Sequence, residues 1–195
     1  MQDLTILTTV ATKHPYPVIQ NRAKEALKNF SFDNDQQVWD IEFIAFWMMV
    51  LDEYDYAYKL AQIITTNHDK VLWDSYREML TVEYHTLMND GKMDEAAQRK
   101  KMIEEMFQYP EEKIRIRLRI YQRYLAGVLL YDQEIKKAQD SKVLSEEIWL
   151  RFRQYYVLLF MQILGGSQEY PLEKITAEIA KEKQFLKEHI AQAKY

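Results

Sequence analysis

The residues with the clearest capacity for chemistry are basic, and they lie in one stretch of the chain, Glu111–Tyr124. Arg115, Arg119 and Arg123 recur there at intervals of four residues. In an α-helix this spacing places the three guanidinium groups along one face, where they could hold carboxylates or phosphates through paired hydrogen bonds. These three arginines, together with Tyr121, are therefore a candidate binding site, which we call the arginine stripe.

The arginine stripe has two interpretations. As a binding site it would recognise an acidic peptide or protein, with nearby tyrosines as polar anchors. Alternatively, the arginines form a solvated helix face or pair with acids of a neighbouring helical hairpin, as charged runs on helices usually do. Nucleic acid would require exposed aromatic side chains between the basic ones, and Tyr121 and Tyr124 fit a core position equally well.

The element that must position the stripe is a helix, although a strand has some support. Apolar and basic residues alternate over Ile114–Ile120, which in isolation is typical of a β-strand. However, Pro110 followed by two acids is a favourable helix start, and the spacing from Leu118 to Leu125 continues a helical pattern. The sequence also offers no partner strand. We therefore expect a helix.

Other catalytic and metal-binding patterns are missing from the sequence. The chain has no Cys, which excludes disulfides, thiolate metal sites and a catalytic thiol. Its four His residues are far apart, and it has no zinc-protease motif, nucleophile elbow or glycine-rich phosphate loop. We therefore expect no metal, no cofactor and no enzymatic activity. A hydrolase with a carboxylate site assembled from separate helices is the alternative, but no motif supports it.

Composition favours a globular chain built of long helices. The 195 residues are 48% hydrophobic and 29% charged, and they include only four Gly and four Pro. Because Gly and Pro form most tight turns, their scarcity favours helices over turn-rich folds. The net charge of −4 and the pI near 5.7 argue against binding to bulk nucleic acid.

The sequence also bears on the compartment. The most apolar stretch, Ile41–Leu51, contains Glu42 and is shorter than the roughly 18 apolar residues that cross a membrane. The first charged residue is Asp3, whereas a signal peptide begins with basic residues. We therefore expect a soluble, cytoplasmic protein without a membrane partner.

Regular spacing of the long helices suggests repeated hairpins. About eight amphipathic helices with short links are predicted from the apolar periodicity. The apolar pattern of the first long helix, which includes Trp39 and Trp47, returns 37 residues later in a set that includes Tyr84. Two further intervals of 38 residues bring it to sets that begin at Ile114 and Phe152. Similar helix spacing alone would also produce this agreement.

The stretch Leu87–Ala96 resembles the turn and second-helix start of a tetratricopeptide repeat, in which Gly91 would close the turn and Ala96 would pack against the first helix. The resemblance implies an all-α, right-handed α-solenoid of about four antiparallel helical hairpins that binds peptides or helices in a concave groove, without catalysis. We accordingly expect a single domain over residues 1–195. It would comprise an N-terminal segment with a first helix (1–35), hairpin repeats (36–168) and a C-terminal capping helix (169–195).

The predicted function is non-catalytic binding of a protein or peptide, with an acidic partner as one option. The candidate contacts are the arginine stripe and Tyr84, which lies in the first helix of a hairpin. A small acidic inhibitor of the immunity-protein type, which covers one cognate partner, is the alternative and would associate in a salt-dependent manner. The aromatic content of 13% would also suit a homodimer contact.

Overall fold

The computed structural model describes residues 4–106, 113–168 and 170–194, with only the backbone described for 113–123. Within these ranges the chain is all-α, as predicted, and contains no strand. The chain divides into two compact units, Met1–Met106 and Phe107–Tyr195. The described α-helices are α1 (Thr5–Lys13), α2 (Pro17–Leu27), α3 (Asp35–Val50), α4 (Tyr54–Thr65), α5 (Trp73–Asn89), α6 (Met93–Met106), α7 (Lys113–Asp140), α8 (Leu144–Leu164) and α9 (Leu172–His189).

In the first unit, α1 to α6 pack in chain order, each helix against the next. In addition, α3 contacts α5, so α3 has three helices around it. This position explains why α3 lacks a polar face: every residue of its last two turns, from Ile44 to Val50, is buried. The start of α3 is capped by Asn34, whose side chain accepts a hydrogen bond from the Gln36 amide.

The link between α5 and α6 is a tight turn that depends on glycine. Gly91 has a φ of +73°, a conformation that costs glycine little because it has no Cβ. With this turn, the Lys92 amide donates to the Leu87 carbonyl at 2.9 Å and satisfies one of the last carbonyls of α5. Ala96, in the first turn of α6, is fully buried.

In the second unit, α8 packs against both α7 and α9. Most of α8 is buried, including Phe152, Tyr155 and Leu158. α9 ends at His189 and continues as a short 3-10 helix, Ile190–Gln192. A single apolar stripe of this C-terminal segment is buried, and it includes Ile175, Leu186 and Ile190. None of the described helices combines the length and apolarity that crossing a membrane requires.

Candidate functional site

The helix predicted for the arginine stripe is present as α7, so the alternation over 114–120 does not form a strand. The side chains of Arg115, Arg119, Arg123 and Tyr121 lie outside the described residues, and their joint role as a binding site stays a prediction.

Tyr84, the remaining predicted contact, lies on α5 in the first unit, whereas the arginine stripe belongs to α7 in the second. Its side chain is half-buried, and its ring meets that of His85 edge-on, with 5.1 Å between centroids. Burial raises the pKa of the Tyr84 hydroxyl, which keeps the group neutral and able to donate a hydrogen bond.

Two half-exposed tryptophans lie on the neighbouring helices α3 and α5. Trp39 is 48% exposed and Trp73 is 47% exposed, with Leu72 at 49% beside the latter. Large aromatic side chains are usually well buried in monomers, and tryptophan is enriched among the residues that dominate protein interfaces. We call Trp39, Leu72 and Trp73 the tryptophan surface.

The contact between α3 and α5 places both tryptophans at the same end of the helix pair. Glu42 follows Trp39 by three residues, and it hydrogen-bonds Ser75, which follows Trp73 by two residues. Three residues are less than one turn of an α-helix. Each tryptophan therefore lies within one turn of the same point of contact between α3 and α5.

An arginine lies against an aromatic ring on each of these helices. The Arg77 guanidinium lies 5.6 Å from the centre of the Trp73 ring, and the Arg22 guanidinium lies 5.0 Å from that of Phe43, one turn after Trp39. Each arginine also binds an acid: Arg77 Nη1 is 2.8 Å from Asp74, and Arg22 Nη1 is 2.7 Å from Asp40. A guanidinium over an aromatic ring is attracted to it, so these contacts favour the observed positions of the Trp73 and Phe43 rings.

Two carboxyl groups, those of Glu42 on α3 and Glu78 on α5, lie together at the α3–α5 contact, and we call them the carboxyl pair. Glu42 is only 7% exposed, and its Oε1 atom is buried without a hydrogen-bond partner among the described residues. Burial, and next the charge of Glu78, raise the pKa of Glu42 to about 9, while a hydrogen bond with Ser75 opposes this shift. At neutral pH the Glu42 side chain is therefore an uncharged carboxylic acid.

A second polar cluster joins α4, α5 and α6. The buried Glu83 carboxylate accepts hydrogen bonds from Arg99 Nε and from the Thr65 hydroxyl. Burial opposes the charge of Arg99, but the bonds to Glu83 and Tyr58 outweigh it and raise the pKa of the guanidinium. Because Glu83 and Arg99 neutralise each other, this cluster connects three helices of the first unit and has its opposite charges paired.

The second unit has a comparable buried ion pair. Arg151 Nε lies 2.9 Å from Glu147, and Arg151 Nη1 lies 2.7 Å and 2.9 Å from the two carboxylate oxygens of Glu182. Its guanidinium also lies 4.3 Å from the centre of the Phe185 ring. Burial raises the pKa of Glu182, and the bonds with Arg151 oppose that shift. This cluster joins α8 to α9.

The second unit also has an open cleft of about 390 Å³ at the start of α8. Among the described residues, its lining contains two lysines and no acid or histidine. Within the described ranges, no three His, Asp or Glu side chains come together as a metal site. The lining residues are Lys142, Val143, Leu144, Ser145, Gln192 and Lys194.

Sequence reasoning did not identify the carboxyl pair as a candidate site. One signal was available, because Glu42 is the only charged residue in the apolar stretch Ile41–Leu51. Its partner Glu78 lies 36 residues further along the chain and carries no such signal. Trp39 was assigned to the same apolar pattern as Trp47, yet Trp47 is buried and Trp39 is half-exposed.

The model of a protein family of unknown function, DUF6707, matches residues 3–188 of the chain. No curated protein and no solved structure matches this chain.

Proposed function

We propose that this protein, which belongs to the DUF6707 family, is a non-catalytic module that binds a protein or peptide segment on its tryptophan surface. The observation that carries the proposal is the position of Trp39 and Trp73, both half-exposed, beside the same α3–α5 contact. A partner that covered both rings would bury a large apolar area at one place, which is the usual basis of a binding hot spot.

Packing in the first unit supports a tetratricopeptide-like stack of helical hairpins as the framework of this surface. In such a stack, the first helices of successive hairpins touch each other and line the groove. With α3–α4 and α5–α6 as hairpins, α3 and α5 are the first helices, and they are in contact. The tryptophans would then lie in the groove that such modules use for peptides.

The arginine beside Trp73 also supports binding. Its contact with the Trp73 ring favours one conformation of that side chain in the unbound protein. A ring that is already held loses less entropy when a partner covers it, which favours affinity. The partner that suits this surface is a segment with apolar side chains for the two rings.

The arginine stripe of α7 is a second proposed contact, for acidic groups of the same partner or of another one. We further propose that binding takes place in the cytoplasm. Because the tryptophan surface and the arginine stripe belong to different units, separate variants of each can reveal which one contributes to binding.

The test is quantitative affinity capture from native lysate with three forms of the full chain: wild type, a Trp39→Ala/Trp73→Ala variant and Trp149→Ala. Trp149, which is 40% exposed on α8, is the matched control in the second unit. We expect one protein to be recovered by wild type and Trp149→Ala and lost with the double variant. With that protein purified, the double variant should bind at least about tenfold more weakly.

Circular dichroism must first show that all three forms have the same helical content. Equal recovery by all three would contradict the proposal for the tryptophan surface. An Arg115→Glu/Arg119→Glu/Arg123→Glu variant in the same experiment then tests the arginine stripe, whose binding should also weaken as salt concentration rises.

A further inference from the structure

Buried acids in the described part of the chain differ in whether an arginine neutralises them. Five acidic side chains are almost fully buried there. Four are paired with arginine: Asp40 with Arg22, Glu83 with Arg99, and Glu147 and Glu182 with Arg151. The fifth, Glu42, forms no ion pair with any described residue, so its burial requires another explanation.

The neighbours of the Glu42 carboxyl are other acids and a hydroxyl group, all on α5. Glu42 hydrogen-bonds Glu78 and Ser75, and Asp74 adds a negative charge nearby. Two carboxylates cannot hydrogen-bond each other, because each has only acceptor oxygens. One of the two must keep a proton, and that proton is part of the contact between α3 and α5.

Charged groups on the helices around α3 do not replace this proton. Among the described residues, the charges that act on Glu42 are those of Glu78 and Asp74. Each of three bases on these helices binds an acid: Arg22 on α2 binds Asp40, Lys59 on α4 binds Asp55, and Arg77 on α5 binds Asp74 and lies 4.0 Å from Glu78. Because Arg77 favours the charged form of Glu78, the proton belongs on Glu42.

We propose that Glu42 and Glu78 form a proton latch, in which a shared proton holds α3 against α5 and its loss in alkaline solution loosens the two helices. Loss of the proton would place two negative carboxylates side by side, one of them the buried Glu42, and the nearby Arg77 guanidinium is already bound to Asp74. Separation of the helices or entry of water would relieve this repulsion. The latch is closed at neutral pH, since burial raises the pKa of Glu42 to about 9.

The direction of the pH effect follows from the two states of the chain. In the unfolded chain Glu42 releases its proton near its ordinary pKa of 4.5, whereas the folded chain keeps it until about pH 9. The folded state therefore holds more protons between these values, and its stability falls as pH rises through this window. Glu42 of the folded chain has lost half of its protons near pH 9, so we expect the latch to open above this pH. The latch is next to the tryptophan surface, but its existence does not depend on the proposed function.

The direct test is ¹³C NMR of the full chain labelled at the Glu side-chain carboxyl carbon, with the Glu42 signal assigned from a Glu42→Gln spectrum. We expect this signal to have the chemical shift of a carboxylic acid at pH 7 and to titrate with a midpoint near 9. A Glu42 signal that is fully ionised at pH 7 would overturn the proposal. This titration uses only the wild-type fold, so it decides the question even if Glu42→Gln is poorly folded, in which case Glu42 is assigned by through-bond experiments.

The loosening of α3 from α5 is tested by amide hydrogen exchange at pH 7 and pH 10. Each rate is compared with the rate of the unstructured chain at the same pH, which gives a protection factor. We expect the protection factors of wild type in α3 and α5 to be at least about tenfold lower at pH 10 than at pH 7. Glu42→Gln should keep its protection, because an amide supplies hydrogen-bond donors without a titrating proton.

Glu25→Gln, which removes an exposed carboxyl on α2, is the matched control and should lose protection as wild type does. This control accounts for the general effect of replacing one carboxyl group with an amide. Equal losses in wild type and Glu42→Gln would show that the latch does not hold α3 against α5.

Discussion

Arg99 on α6 donates its Nε hydrogen to Glu83 on α5, a carboxylate that is almost completely buried. The other carboxylate oxygen of Glu83 accepts from the Thr65 hydroxyl on α4. The Glu83 side chain therefore connects three successive helices of the first unit. The negative charge of Glu83 can remain buried because Arg99 neutralises it.

Arg99→Ala should destabilise the protein strongly, because it leaves the Glu83 carboxylate buried without a cation. The expected loss is about 3 to 5 kcal/mol in the free energy of unfolding, measured by urea denaturation. Lys101→Ala on the same helix is the control, since the exposed Lys101 ammonium lies 3.6 Å from Glu105. It should cost less than about 1 kcal/mol. If Arg99→Ala costs as little stability as Lys101→Ala, Glu83 must find another hydrogen-bond donor.

Arg151→Ala should loosen the packing of α8 against α9 in the second unit. The substitution removes the buried cation that Glu147 and Glu182 share, with an expected cost of about 3 to 5 kcal/mol. Hydrogen exchange should show faster exchange in both helices. Lys181→Ala, whose exposed ammonium is 3.9 Å from Glu182, should leave the exchange of α8 and α9 unchanged. A change confined to α9 would argue against a role for Arg151 in α8.

Local signals in the sequence were sufficient to predict the helices. The helix-start signal at Pro110 favours a helix over the alternation that follows it, and the described residues from Lys113 onward are helical. Gly91 was expected to close a turn, and it does so with positive φ. Both features depend on a few neighbouring residues, whose conformational preferences are fixed by their own covalent structure.

Properties that depend on packing between distant helices could not be predicted. Trp39 and Trp47 fall in one apolar pattern, but the surroundings of α3 bury only Trp47. The meeting of Glu42 with Glu78 depends on how α3 crosses α5, which a single sequence does not encode as a spacing. The arginine pairs that join different helices are also remote in sequence: Arg151 and Glu182, for example, are 31 positions apart.

Substitutions of two glycines should have opposite effects on stability. A Cβ at Gly166, in the link after α8, would lie 2.9 Å from the Pro171 carbonyl carbon and would also clash with the Leu172 amide. Gly166→Ala should therefore lower the free energy of unfolding by about 1 to 3 kcal/mol. A Cβ at Gly127 in α7 would meet no atom within 4 Å, so Gly127→Ala should raise it by about 0.5 to 1 kcal/mol.

Thermal unfolding of both glycine variants beside wild type would measure these changes. A Gly166→Ala protein as stable as wild type would show that the backbone at Pro171 and Leu172 shifts at little cost. A Gly127→Ala protein less stable than wild type would indicate a contact that the described residues do not include.

His14 should make the protein less stable in mild acid. Its side chain is 5% exposed, and its Nε2 lies 3.5 Å from Glu53. Burial lowers the pKa of the imidazole below its ordinary value of 6.5, although Glu53 opposes the shift. Between the lowered pKa and 6.5 the unfolded chain binds more protons than the folded one. This contribution to stability is therefore present above pH 6.5 and is lost as pH falls through the folded pKa.

His14→Gln should remove this part of the pH dependence. We expect the free energy of unfolding of wild type to fall more steeply than that of His14→Gln between pH 7 and pH 5, by up to about 1.4 kcal/mol per pH unit. Urea denaturation at a series of pH values measures both slopes, and His68→Gln removes an exposed imidazole as the control. Parallel slopes for wild type and His14→Gln would mean that Glu53 compensates fully for the burial of His14. In that case Glu53→Gln should lower the pKa of His14, because it removes the charge that opposes the effect of burial.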